Sequence, residues 1–302
     1  MNDLATFQAQ RTHLIGIAYR MLGEMGAAED VAQEAWLRWQ RADGEDIRDP
    51  RAWLSAVKVR LALDALRKAR ARRETYVGPW LPEPLLPDDT RALTADAPAA
   101  RAELASDLSL ALLMVLERLT PEERAALILH DAFDCDYATI AQALEKNEAA
   151  CRKLVSRARE RVKAERPRRT VTGEQHRQII ARFMQAAASG DPKQIASLLA
   201  PDVVLYTDGG GKRQAALNPI HGADKVLRFT LGVLSKFGPP DGFQIEPAEI
   251  NGTPGLLLRT AEGLDSALTV ELDSKLIRAA YLVRNPDKLR RIARASFGTR
   301  TP

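Results

Sequence analysis

The strongest constraint on this chain is a cluster of prolines. Pro79, Pro82, Pro84, Pro87 and Pro98 stand close together. A proline ring lacks the N–H that a helix needs and clashes with the preceding turn, so Val77–Ala99 cannot be helical throughout. Apolar residues recur at helical spacing on either side. The chain therefore divides into a helical stretch over residues 1–75, a Pro-rich linker over 76–105 and a second helical stretch over 106–168. A second boundary falls at Pro167–Thr172. Beyond it the character changes to mixed α and β over 172–292, with a tail at 293–302.

In the first stretch Leu4, Phe7, Leu14, Ile15, Ala18 and Leu22 form one apolar face. Gly23 and Gly26 interrupt the pattern. A second helix is expected from about Ala27 to Arg41, with Val31, Ala35 and Trp39 inward. Asp49-Pro50 is a helix start, an Asp cap followed by proline at the first helical position, and a third helix runs to about Arg73. In the second stretch Thr120-Pro121-Glu122-Glu123 is a capping box opening a helix. Two more helices follow, Tyr137–Leu144 and Glu148–Lys163. The last region reads as helices over Gln175–Ala188 and Pro192–Leu199, a strand at Val203–Thr207 and a helix over Ala223–Phe237. Period-two segments then run through Phe243/Ile245, Leu256–Thr260, Leu268/Val270/Leu272 and Ile277–Val283. Helices followed by an antiparallel sheet make an α+β domain.

The segment DYATIAQALEKNEAACRKLVSRARER (136–161) carries the chemistry. Ile140, Ala141 and Leu144 face Ala150, Leu154 and Val155 across a short turn in which Asn147 is the N-cap. That is a helix-turn-helix, whose second helix lies in the major groove of DNA. Glu148, Arg152 and Lys153 come early, where base edges lie. Arg157, Arg159 and Arg161 come later, where phosphates lie. An ordinary helical hairpin has the same apolar pattern but no need for so many outward arginines. Charge supports this by its distribution. Residues 1–170 hold 27 Lys+Arg and 27 Asp+Glu, a neutral body with basic clusters at Arg67–Arg73 and Arg152–Arg169.

These segments resemble sigma factors, the promoter-specificity subunits of RNA polymerase. The stretch from Leu116 to Val162, LERLTPEERAALILHDAFDCDYATIAQALEKNEAACRKLVSRARERV, is similar to sigma region 4, which reads the −35 element. AAEDVAQEAWLRWQ resembles region 2.2, and DPRAWLSAVKVRLALDALRKARAR resembles regions 2.3 and 2.4, which open and read the −10 element. The order and the short linker match the extracytoplasmic-function (ECF) type. The resemblance implies docking on core RNA polymerase, at the clamp helices of the largest subunit and the flap region, through Asp30, Gln33, Glu34 and Trp36. It also implies promoter-DNA contacts from Lys58, Arg60, Arg67 and Lys68 and a base pocket near Arg41–Arg48.

The last region resembles the SnoaL-like cone shared with ketosteroid isomerase. Three segments are similar to signatures of the ECF subgroup with such a fused extension: Trp80-Leu81-Pro82-Glu83-Pro84-Leu85, Asp208-Gly209-Gly210-Gly211-Lys212 and Asn285-Pro286-Asp287-Lys288-Leu289. The resemblance implies that the extension is a built-in regulator which needs no separate anti-sigma factor. The expected fold is two all-α sigma modules plus the α+β cone. Trp80, an aromatic beside prolines in a polar linker, is a docking handle, and the reading places WLPEPL against Asp208–Lys212 and Asn285–Asp287.

Enzymes of the cone fold need an acid or base in an apolar cavity, for which Asp202, Tyr206, Asp208 and His221 are the candidates. No motif specifies catalysis, so no enzyme, cofactor or metal is expected, and a small ligand in the cone stays open. Cys135 and Cys151 match no metal spacing and read as bystanders. The first residues do not read as a secretory leader and no apolar run is long enough for a membrane span; two cysteines are too few for a disulfide framework, so a cytoplasmic location is expected. Two other readings remain, a helix-turn-helix regulator independent of polymerase and a cone-type enzyme.

Overall fold

The computed structural model describes residues 4–42, 50–94, 107–165, 171–237 and 242–297. They form two compact units. The first holds residues up to Thr75, Asp88–Leu108 and Leu112–Arg166; the second holds Tyr76–Pro87, Ser109–Ala111 and Pro167 onward.

In the first unit α1 (Leu4–Leu22), α2 (Met25–Arg41) and α3 (Pro50–Arg73) follow the expected pattern closely. Leu14, Ile15, Ala18, Leu22, Val31, Ala35 and Trp39 are buried among them. Asp49 and residues 43–48 of the expected base-pocket loop lie outside the described residues. Within the stretch expected as linker, α4 (Pro87–Thr94) starts on a proline with Asp88 and Asp89 in its first turn, as a helix N-terminus favours. Next come α5 (Leu110–Glu117) and α6 (Pro121–Leu127). Thr120 and Glu123 form the expected reciprocal capping box. The chain continues through a π-helical turn, Ile128–Ala132, into α7 (Tyr137–Leu144) and α8 (Glu148–Glu165).

A buried charge cluster holds these helices. Glu117 accepts from Arg124 at 2.5 Å and from Arg73. Arg124 also donates twice to the carbonyl of Arg20, at 3.1 and 2.9 Å, and Arg73 donates to that of Leu22. Two guanidinium groups thus meet the carbonyl end of α1, where the helix dipole is negative. Burial lowers Arg20 to about 10. Burial pushes the Glu117 carboxyl up, but Arg124 and Arg73 outweigh it, and its pKa lies below the ordinary value of 4.5.

The second unit begins with the extended segment Tyr76–Pro87, then α9 (Gly173–Ser189), α10 (Pro192–Ala196), β1 (Leu199–Asp208), β2 (Ile220–His221) and α11 (Ala223–Phe237). β3 (Gln244–Ile250), β4 (Thr253–Thr260), β5 (Gly263–Asp273), β6 (Leu276–Val283) and α12 (Pro286–Phe297) complete it. The sheet order is β2-β1-β6-β5-β4-β3. The α+β class is as expected, but the sheet is not wholly antiparallel. β1 and β6 run parallel, Leu205 opposite Ala280 and Tyr206 opposite Tyr281. The long connection through α11 and the β3–β5 meander permits this pairing.

Because side chains alternate along a strand, Leu205, Val270 and Ala280 share one face and pack with Ile179, Ile180, Ile195 and Val226 of the helices. Tyr206, Asp208, Thr269, Tyr281 and Val283 take the opposite face. There Tyr206 stacks on Tyr281 at 5.5 Å.

Since the Glu117 pKa is depressed on folding, its contribution is complete above 4.5 and fades as pH falls through the folded value. Glu117→Gln is expected to cost about 3 kcal/mol at neutral pH and to flatten the acid limb of a stability-versus-pH curve from denaturant titrations. Parallel acid limbs in the two proteins would contradict this assignment.

Candidate functional site

The three segments singled out by sequence meet in the second unit around Asp208, which is fully buried. A buried carboxylate must be matched by donors, and Asp208 has three. It accepts from the Leu81 N–H at 2.9 Å, the Tyr76 hydroxyl at 2.6 Å and Lys288 Nζ at 2.7 Å. Lys288 also donates to the Leu81 carbonyl. Its ammonium lies 4.2 Å from the Trp80 ring centroid and 5.0 Å from that of Tyr76, both within cation–π range. Trp80 thus packs against a cation.

Asn285 is the N-cap of α12. Its Oδ1 accepts from the Asp287 N–H at 3.0 Å, and its Nδ2 donates to the Tyr76 hydroxyl at 2.8 Å. Gly210, at φ +58, lies so close that an added side chain would collide with Asn285, and one at Gly209 would collide with the Arg213 carbonyl. Glycine is required at Gly209 for space, and at Gly210 for space as well as for conformation. Lys212 pairs with Asp287 at the surface, which holds the Asp287 carboxyl below its usual range.

Sequence reasoning missed a second anchor. Asn251 and Gly252, both at positive φ, join β3 to β4 in a two-residue turn. Asn251 Oδ1 accepts from the Leu85 N–H at 2.8 Å, and its own N–H donates to the Leu85 carbonyl at 2.9 Å. The Asn-Gly pair between period-two segments was the available signal. Leu81 and Leu85 are both fully buried, each contributing about 1.5–3 kcal/mol by area. Pro82 and Pro84 are buried and Glu83 is half-buried.

In the first unit α7 and α8 make the helix-turn-helix. Asp136 caps α7 by accepting from the Thr139 N–H at 2.8 Å. Glu145 ends it in the left-handed conformation. Asn147 caps α8, accepting from the Ala150 N–H at 2.8 Å. Cys151, Leu154, Val155, Ala158 and Val162 are its buried face, whereas Glu148, Arg152, Lys153, Arg157 and Arg159 are exposed. Arg152 bonds Glu148 at 3.3 Å and lies 5.1 Å over the Tyr137 ring. Arg159, expected on phosphate, is held by both oxygens of Asp131. Burial raises the Cys151 thiol pKa, as suits a core residue.

On α2, Asp30 and Gln33 are exposed; Glu34 bonds Arg38 at 3.0 Å, and Trp36 is half-buried with its ring 4.9 Å from Phe7. On α3, Arg60 donates to the Gln142 carbonyl of α7 at 3.3 Å, Arg67 lies 3.5 Å from Asp64, and Lys68 is exposed. The Lys58 side chain lies outside the described residues. Of the candidates for catalysis, Asp202, Tyr206 and Asp208 stand on β1 and His221 on its partner β2. Asp202 and His221 are exposed, Asp208 is bonded to the linker segment and Tyr206 is stacked on Tyr281.

A helical unit with an arginine-faced helix-turn-helix, joined to an α+β unit, defines a DNA-reading transcription factor. Known proteins make this specific. Residues 6–72 match the family Sigma-70 region 2, and residues 109–162 match Sigma-70, region 4. The chain is 41% identical over 298 residues to the ECF RNA polymerase sigma factor SigJ of Mycobacterium tuberculosis, covering 95% of this chain and 93% of the relative. It is 32% identical over 287 residues to the probable ECF sigma factor SigI of the same species, covering 94% of each. The crystal structure of SigJ is similar at TM-score 0.74 and 38% identity, covering 95% of this chain and 98% of that one. The chain belongs to the ECF RNA polymerase sigma factors, and its function is that of a sigma factor in transcription initiation.

Lys288→Met is expected to destabilise the second unit by about 3 kcal/mol, because it leaves a buried carboxylate without its cation. Lys212→Met, which breaks an exposed pair, is expected to cost less than about 1 kcal/mol. Equal denaturation midpoints for the two variants would contradict the central place given to Asp208.

Proposed function

We propose that this chain is a self-regulated initiation factor. Its α2 face docks on the clamp helices of core RNA polymerase, its α3 and helix-turn-helix read the −10 and −35 elements, and its α+β domain biases when it does so. The observation that carries the regulatory part is the bonding of Leu81 and Tyr76 to buried Asp208. Residues 76–87 link α3 to α4, so an anchored segment limits the reach of the tether between the two sigma modules. Binding to polymerase in preference with the segment released makes the contact a switch. A regulator within the chain removes the need for a separate anti-sigma factor.

On this reading Asp30, Gln33, Glu34 and Trp36 contact polymerase. Arg152 and Lys153 reach base edges, and Arg157, Arg67 and Lys68 neutralise phosphates. The α+β domain is a binding and regulatory module rather than an enzyme, a reading supported by the exposure of Asp202 and His221 and by the bonding of Asp208 to the linker segment. No helix among the described residues is long and apolar enough to cross a membrane, which fits action at the chromosome in the cytoplasm.

The docking face has a direct test. Asp30→Ala with Glu34→Ala is expected to reduce pull-down of core polymerase at least ten-fold, about 1.4 kcal/mol, and to abolish run-off transcription while helicity is unchanged. Normal pull-down by this double variant would remove α2 from the docking face.

A further inference from the structure

A carboxylate just ahead of the helix-turn-helix is placed to restrain one of its arginines. Asp131 stands in the π-helical turn Ile128–Ala132, which closes with the Cys135 N–H donating to the Leu129 carbonyl at 2.9 Å. Such wide turns interrupt a helix at a cost and concentrate at functional positions. Here the turn carries Asp131 beneath α8. Both Asp131 oxygens accept from Arg159, one from Nε at 2.8 Å and one from Nη2. This is the two-pronged geometry in which a guanidinium binds a carboxylate most firmly, and these bonds raise the Arg159 pKa. The Asp131 side chain is only 16% exposed and that of Arg159 50%, so the pair is partly sheltered from screening. Asp131 also lies 3.4 Å from His130 Nδ1. The His130 ring meets Tyr137 edge-on at 4.5 Å, and Tyr137 lies under Arg152. The π-turn therefore meets the reading helix directly at Arg159 and, through Tyr137 of α7, beneath Arg152.

A shallow hollow in this surface is lined by Tyr137, Arg152, Ser156, Arg159, Glu160 and Lys163. Contacts to phosphate bind every sequence alike, whereas contacts to bases discriminate. A helix with Arg152, Lys153, Arg157, Arg159, Arg161 and Lys163 all free would hold any duplex tightly.

We propose that Asp131 is a specificity-determining residue of the DNA-reading surface: it withholds Arg159 from phosphate, so that discrimination rests on residues nearer the start of α8. This rests on the reading that α8 enters the groove. Arg161, bonded to Glu123 at 2.8 Å, is restrained in a similar way by a carboxylate of α6.

The test uses the full-length chain and a fluorescent duplex of scrambled sequence, titrated in anisotropy over a range of salt. Asp131→Asn is expected to raise affinity several-fold at low salt and to steepen the log–log salt slope by about 0.9, the value of one added phosphate contact. Asp131→Glu should leave both unchanged. Adding Arg159→Gln to Asp131→Asn should abolish the gain, because the gain needs the freed arginine and not merely one fewer negative charge. Thermal melts identify any variant that fails to fold, and the Asp131→Glu and double variants then carry the comparison. A wild-type slope in Asp131→Asn, with Arg157→Ala still weakening binding, makes Asp131 a structural brace only and overturns the proposal. Insensitivity to Arg157→Ala and Asp131→Asn alike overturns the groove assignment of α8, and the proposal with it.

Discussion

A fully buried carboxylate organises the second unit. Asp208 is tolerable there only because a backbone N–H, a phenol and an ammonium all point at it. Each donor constrains another part of the sequence. Leu81 N–H fixes the proline-bearing segment, which prolines keep extended and hold ready for such a contact. Lys288 must lie on the first turn of α12, so Asn285 caps that helix while its amide holds Tyr76. Gly210 must be bare for Asn285 and Tyr76 to approach, and Gly209 for its own loop to close on Arg213. Three segments far apart in sequence are thereby one construction, and losing its charge balance loosens all of them together.

The first unit uses charge in another way. Glu117 lies between Arg73 and Arg124, whose guanidinium groups bond carbonyls at the end of α1. The exposed face of α8 carries cations of two kinds. Arg157 and Lys153 project from an exposed surface, whereas Arg159 and Arg161 are each bonded to a carboxylate of the preceding helices. A basic stripe read from composition is thus divided by the fold into restrained and projecting charges. The same holds on α3, where Arg60 bonds the carbonyl of Gln142.

Much of this was legible in the sequence, for physical reasons that can be named. The helix-turn-helix was readable because its boundaries are local: Asp136 and Asn147 cap by their own side chains. The linker was readable because proline acts on its immediate neighbours. Its grouping with Asp208 and Lys288 came from family resemblance rather than from periodicity. What escaped depends on distant partners. The parallel pairing of β1 with β6 is set by a long connection that no strand pattern encodes. The helix α12 was overlooked although Asn285-Pro286 is a cap followed by proline. Asn251-Gly252 showed its turn in the sequence, but nothing local shows that its amide would grip Leu85. The pairing of Arg159 with Asp131 joins residues 28 apart in sequence, which no local pattern encodes.

The claim on which the regulatory account depends is that the segment held by Asp208 and Asn251 is fixed in the free chain and released on polymerase. Hydrogen–deuterium exchange of the Leu81 and Leu85 amides measures this most directly, in the full chain alone and bound to core polymerase. The Arg284 amide, bonded to the Asp208 carbonyl at 2.7 Å, serves as an internal reference within the sheet. The expected result is slow exchange of Leu81 and Leu85 in the free chain and faster exchange of both on polymerase, with Arg284 unchanged. Equal protection of Leu81 and Leu85 in the two states would contradict the account.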